Sequence, residues 1–127
     1  MKLLLDSSVL IDTLRLRHDR KELLAELVEA GHHLATTAIN IAEIYSGVRP
    51  GEEARTIQLL ESLESYAIDA AVGEHAGRLK NFWAKRGHVI ALPDMFVAAV
   101  AIEHGCALLT DNRRHFPMPE LRLFALP

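Results

Sequence analysis

The chain has 127 residues, half of them hydrophobic and 24% charged, with a formal net charge of −3. That length predicts a single domain over 1–127 with a core of its own, and that composition excludes a disordered chain. Mild acidity argues against a module that holds nucleic acid by phosphate contacts alone, and the lone cysteine, Cys106, excludes an internal disulfide.

Residues 2–5 (KLLL) predict a short strand ending at Asp6. The apolar run there is too short for a signal peptide, and no stretch approaches the roughly 18 apolar residues of a membrane span. A cytoplasmic protein without membrane contact is the expectation, in keeping with the reducing compartment that one free cysteine suits. Ser7 and Ser8 open a helix whose apolar side is Val9, Leu10, Ile11 and Leu14. A charged turn over 15–20 leads to a helix over 21–30, with Leu23, Leu24, Leu27 and Val28 at helical spacing and Gly31 as its stop. A strand over 32–36 follows. Thr37 then caps a helix to about Ser46, with Ala38, Ile41, Ala42 and Tyr45 as its stripe. Gly47 and the Arg49-Pro50-Gly51 turn separate it from an amphipathic helix over 52–63.

The second half predicts a strand over 66–69 and a long helix over 70–86 that turns Ala76, Leu79, Phe82 and Trp83 inward. Gly87 ends that helix, 88–92 is extended, and Pro93 suits the first turn of a helix that stops at Gly105. Strands over 106–109 and 121–126 complete the chain. Short apolar strands separated by helices imply a short, mainly parallel central sheet between helical layers, an α/β/α domain.

Open parallel sheets place their sites beyond the carboxyl ends of the strands. Asp6 and Asp111 stand directly after two of the predicted strands, and Asp94 begins a helix after an extended segment. Glu43 lies among Ile41, Ala42, Ile44 and Tyr45, able to reach the same crevice from the side. Each acid also has a purely structural alternative. Asp6 and Asp94 can cap helices, Asp111 can hold a turn, and Glu43 can face solvent beside Asn40 and Gly47. Ser7 or Ser8 could take over the capping and leave the Asp6 carboxylate free. A cluster of such carboxylates suits Mg²⁺ or Mn²⁺, and those ions activate water and neutralise phosphate charge. Ligands are then Asp6 and Asp94, with Glu43 and Asp111 helping directly or through water. Zinc chemistry has no paired cysteines, and no glycine-rich phosphate loop is present. Arg49, Arg113, Arg114 and His115 are candidate nucleic-acid contacts; Arg113 and Arg114 alternatively offset nearby acids. Lys80, Lys85 and Arg86 read as outer-face decoration.

These residues fall into ordered motifs. LLLDSSVLIDTL, TAINIAEIYSG, LPDMFVAAVAIEHG and LLTDNRRHF resemble, in sequence and order, the four motifs of PIN-domain ribonucleases of the VapC type, the toxins of bacterial and archaeal toxin–antitoxin pairs. The resemblance covers nearly the whole chain and implies a three-layer PIN-like fold. It places Asp6, Glu43 and Asp94 as acids of the site, with Ser8 and Thr110 as supporting hydroxyls. The last motif departs from the family: Asn112 occupies the usual acid position and Asp111 stands beside it, so Asp111 is the candidate fourth acid and Asn112 the neutral alternative. The resemblance further implies a homodimer that cuts RNA, often tRNA or ribosomal RNA, leaving a 5′-phosphate. It also implies a cognate antitoxin seated in a groove flanked by 21–30 and 52–63. Two other readings of the same acids stay open: a PIN-type nuclease outside a toxin pair, and a non-catalytic binding module whose acids are spread apart. A receiver-like or phosphatase domain ranks below both, because arginines stand where its late lysine belongs.

Overall fold

The computed structural model describes residues 1–127 and contains one five-stranded sheet. In chain order the elements are β1 (Lys2–Leu5), α1 (Ser7–Leu14), α2 (Arg20–Glu29), β2 (His33–Thr37), α3 (Ala38–Ser46), α4 (Glu53–Glu61), β3 (Glu64–Tyr66), α5 (Ala70–Ala84), α6 (Leu92–His104), β4 (Ala107–Leu109), a single 3-10 turn (Arg113–His115) and β5 (Arg122–Leu123). Strand order is β3-β2-β1-β4-β5, and all four pairings are parallel.

Alternation along the strands divides the core into two. Leu3 and Leu5 of β1, with Ala107 and Leu109 of β4, face one side and pack with Leu10, Leu24, Ile44 and Leu60 from α1 to α4. Leu4 and Leu108 face the other side, against Val72, Ala76 and Leu79 of α5 and the buried run of α6. Strands covered on both faces read as continuous apolar runs, which is why KLLL and CALL were recognisable. The result is the expected three-layer α/β/α architecture with a short parallel sheet. No helix is long and apolar enough to cross a membrane.

Several elements differ from the sequence expectation for local reasons. The strand placed at 66–69 lies at Glu64–Tyr66, because Asp69 leaves the ladder to cap α5, accepting from Val72 N at 2.9 Å. The tail strand shrinks to Arg122–Leu123. On α3 the inward face carries Asn40 and Ile44, whereas Ala38, Ala42 and Tyr45 turn outward. On α5, Phe82 is 45% exposed rather than inward. The Arg86 guanidinium covers its ring at 3.4 Å, a cation–π contact that partly offsets the exposure.

The strand order positions the site. From β1 the chain winds outward through β2 to β3, then returns to place β4 on the opposite side of β1. The crevice at such a reversal lies outside the carboxyl ends of the two diverging strands, here β1 and β4, where Asp6 N donates to Leu109 O at 3.0 Å. The turn between α1 and α2 is strained: Leu16, His18 and Asp19 all have a φ of 54°, a conformation that costs non-glycine residues about 1–2 kcal/mol each. It delivers Arg20 to the start of α2, buried beside this crevice.

Candidate active site

Asp6 is the centre of the crevice. It is 5% exposed, and three donors hold its carboxylate. Ser7 N donates to Oδ1 at 2.9 Å, Asn40 Nδ2 donates to Oδ1 at 3.2 Å, and Thr110 Oγ1 donates to Oδ2 at 2.7 Å. A buried carboxylate is tolerable when satisfied in this way. Asp6 therefore caps α1 itself, rather than leaving the capping to Ser7 or Ser8. Oδ1 accepts two of these bonds and Oδ2 one, which leaves lone-pair capacity on Oδ2.

The neighbours of Asp6 are set by their own elements. Asn40, fully buried, lies in the first turn of α3, where Thr37 Oγ1 accepts from its N–H at 3.3 Å and donates to its Oδ1 at 2.8 Å. That double contact turns the amide nitrogen toward Asp6 and toward Ser7 Oγ, 2.9 Å away. Ser7 Oγ in turn donates to Glu43 Oε1 at 2.9 Å. Glu43 sits one turn beyond Asn40, exposed at the rim of the crevice. Asn40 thus joins two of the candidate acids into one network with Ser7.

Asp94 comes from the first turn of α6, with its side chain 23% exposed. It does not cap that helix: Ala91 is the cap residue and no side chain bonds there. His115 Nδ1 pairs with Asp94 Oδ2 at 3.0 Å. Burial, and next the negative charge of Asp6, push the Asp94 carboxyl above the usual range, and His115 opposes the rise. An acid raised on folding adds stability only at pH low enough to protonate it, and that contribution disappears as pH rises through its folded value. At neutral pH ionised Asp94 therefore destabilises the chelator-treated protein. Asp94→Asn is expected to raise the melting temperature by a few degrees in chelator at pH 7, with the gain shrinking toward pH 4. A fall at pH 7 would refute the repulsion.

Asp111 has a different setting. Its carboxylate accepts from Arg20 Nη2 at 2.9 Å, and its N–H donates to Ser8 Oγ at 3.4 Å. Its charge is not among those acting on Asp94. Arg20 is 5% exposed and also donates to His18 O at 3.3 Å, so it pins the segment after β4 to the start of α2. Thr110 Oγ1 accepts from Asn112 N at 3.0 Å, which orients its proton toward Asp6. Asn112 itself begins the 3-10 turn carrying Arg113 and Arg114, both exposed and without a carboxylate within 4 Å. Neither arginine forms an ion pair with a nearby acid; Asp111 pairs with Arg20 instead. Arg49 sits at the turn before α4, where Glu52 Oε1 accepts from its N–H at 2.9 Å. That bond, with Arg15 close by, holds the Glu52 carboxyl below its usual range.

The structure thus links Asp6 and Glu43 through Ser7 and Asn40, puts Asp94 within reach of the charge of Asp6, and holds Asp111 apart on Arg20. As the side chains stand, no three His, Cys, Asp or Glu groups are close enough together to ligate a metal ion by themselves. Ser7, Asn40 and Arg20 were not among the sequence candidates. An asparagine inside an apolar helix, three residues after a capping threonine and three before Glu43, was the available signal for Asn40. Nothing local marked Arg20, whose partner is 91 residues away.

Fold and crevice together define a class: a three-layer α/β domain with carboxylates over the switch point of a short parallel sheet. Within that class the chain belongs to the PIN domain family, whose pattern matches residues 3–120. It is homologous to VapC proteins. Ribonuclease VapC19 of Mycobacterium tuberculosis is 32% identical over 120 residues, covering 94% of this chain and 96% of the relative. Among solved structures, VapBC2 from Rickettsia felis, bound to a DNA fragment from its promoter, superposes with a TM-score of 0.84 at 23% identity over 98% of both chains. A toxin–antitoxin complex from Klebsiella pneumoniae superposes with a TM-score of 0.76 at 26% identity over 94% of both.

Proposed function

We propose that this protein is a metal-dependent endoribonuclease toxin that hydrolyses RNA phosphodiester bonds, tRNA or ribosomal RNA, at the Asp6–Glu43–Asp94 crevice. The observation that carries the reading is the buried Asp6 carboxylate beyond the end of β1, linked through Asn40 and Ser7 to Glu43. Burial, and next the charge of Asp6, push the Asp94 carboxyl up, and carboxylates gathered without a cation repel one another. Mg²⁺ usually takes only one or two carboxylates and keeps several waters, so the donor set fits that ion, or Mn²⁺, without a third direct ligand. When bound, it supplies acidification of water and neutralisation of phosphate charge.

The chain's own residues do the positioning. Asp6 and Asp94 would hold the cation, with Thr110 and Asn40 fixing the first and His115 the second. Glu43, its Oε1 engaged by Ser7, leaves Oε2 to orient a water and accept its proton. Asp111, held by Arg20, acts at the rim through water, near Ser8 and Asn112. Arg113 and Arg114 grip phosphate, and Arg49 extends the basic edge.

A cognate antitoxin is the proposed partner, and VapC homologues support it. So does a hollow of about 490 Å³ between α1, α2 and α4, lined by Leu14, Leu16, Lys21, Arg55 and Leu59. This lies where 21–30 and 52–63 were expected to flank a groove. A homodimer in the cytoplasm completes the proposal. The test is incubation of partner-free protein with total cellular RNA in Mg²⁺, in Mn²⁺ and in excess chelator. Defined fragments that need the metal are expected; equal cleavage in chelator contradicts the reading.

A further inference from the structure

Beside Asp94 lies a hollow that shares His115 with the carboxylate site and is otherwise walled mostly by the 87–91 loop. It encloses about 430 Å³ between the 87–91 loop and the 3-10 turn, with Asp94 at its edge and His88, Val89, Arg114 and His115 in its walls. Pockets for small molecules span about 300–1,000 Å³, so this one has room for a single nucleoside and not for the end of a duplex.

Its walls are chemically mixed. Val89 is 86% exposed, an apolar side chain left open to solvent. His88 and His115 contribute flat imidazole rings. Arg114 brings a guanidinium with no carboxylate within 4 Å. Flat rings and guanidinium planes are surfaces on which unpaired bases stack, and the guanidinium fork matches phosphate.

The loop is held in place. Gly87 takes a φ of 86°, which a side chain would resist. Lys80, expected on sequence to decorate the outer face of its helix, instead donates from Nζ to Ile90 O at 2.6 Å. His88 N donates to Trp83 O at 2.9 Å. The His88 ring stands edge-on to Trp83, 5.5 Å between centroids. A wall fixed by these contacts costs little further ordering on binding.

We infer that this hollow is a nucleotide subsite, which takes one unpaired ribonucleotide of the RNA strand next to the scissile phosphate and sets the base preference of cleavage. The inference rests on the nuclease reading for its place in the reaction, while the binding itself can be read without cleavage. Trp83 is the only tryptophan, so the protein has one indole N–H resonance, in ring contact with a wall of the hollow. Adenosine, guanosine, cytidine and uridine 5′-monophosphates contain no internucleotide bond to cut and can be titrated singly into the Mg²⁺-containing protein.

A saturable shift of the Trp83 indole resonance is expected, with one base binding more tightly than the rest. Val89→Asp and Arg114→Ala, both at exposed positions, are each expected to weaken it about fivefold or more, the lower end of what a stacked base contributes. No saturable shift with any nucleotide, or a shift that ignores both substitutions in folded protein, overturns the subsite. RNA cleavage without the shift overturns the subsite alone and leaves the nuclease reading standing. A shift that obeys both substitutions, with no RNA cut, supports the nucleotide site and removes the nuclease reading instead.

Discussion

Asn40→Ala is expected to lower RNA cleavage by about 10- to 100-fold, the range for residues that orient a metal's ligands, although Asn40 touches neither metal nor substrate. The amide makes three side-chain contacts that the substitution removes together: to Asp6 Oδ1, to Ser7 Oγ and from Thr37 Oγ1. Asp6 then loses one of its three donors while remaining buried. Ser7 loses the contact that directs its hydroxyl proton toward Glu43. Leaving buried polar groups without partners costs about 1–3 kcal/mol of stability, so the melting temperature falls as well. A merely structural role for Asn40 predicts the loss of stability and a normal dependence of rate on Mg²⁺. A positioning role predicts in addition that half-maximal activity moves to higher Mg²⁺, and rate against Mg²⁺ concentration in folded variant protein separates the two.

Asp6→Asn is expected to reduce cleavage on the order of 10³-fold while the fold survives, as for loss of a group that stabilises transition-state charge directly. The replacement is nearly isosteric, and two of the three donors can still reach an amide oxygen. Thr110 loses its acceptor unless the new amide reorients, so a modest stability loss of about 1 kcal/mol accompanies the change. The charge is what the reaction loses. Circular dichroism checks the fold, and cleavage of total RNA in Mg²⁺ checks the rate. A variant that is folded and retains the native rate removes Asp6 from the machinery.

The sequence disclosed different parts of this molecule with different clarity. The central strands β1 and β4 were legible because they are buried on both faces, and Leu3–Leu5 and Ala107–Leu109 are uninterrupted apolar runs. Pro93, Gly31 and Gly105 marked helix ends correctly, since their backbone requirements are local. The inward face of α3 was not legible from hydrophobicity. Asn40 belongs there only because Asp6, 34 residues earlier, needs a donor. Phe82 looked like core because ring area alone was counted, whereas Arg86 covers it on the surface. The motifs located Asp6, Glu43 and Asp94, but the direction of Asp111 depended on Arg20, delivered by a strained turn without any periodic signal. Sequence singles out the carboxylates as candidates; the hydrogen bonds that orient them belong to tertiary structure.

The most direct test compares the rates at which wild type, Asp94→Asn and Asp111→Asn cleave total RNA, each in Mg²⁺ and in excess chelator. The account predicts cleavage only with metal, loss on the order of 10³-fold in Asp94→Asn, and a milder loss of about tenfold in Asp111→Asn, where Arg20 already neutralises the acid at the rim. Cleavage that persists in chelator, or that survives Asp94→Asn but is abolished by Asp111→Asn, contradicts it.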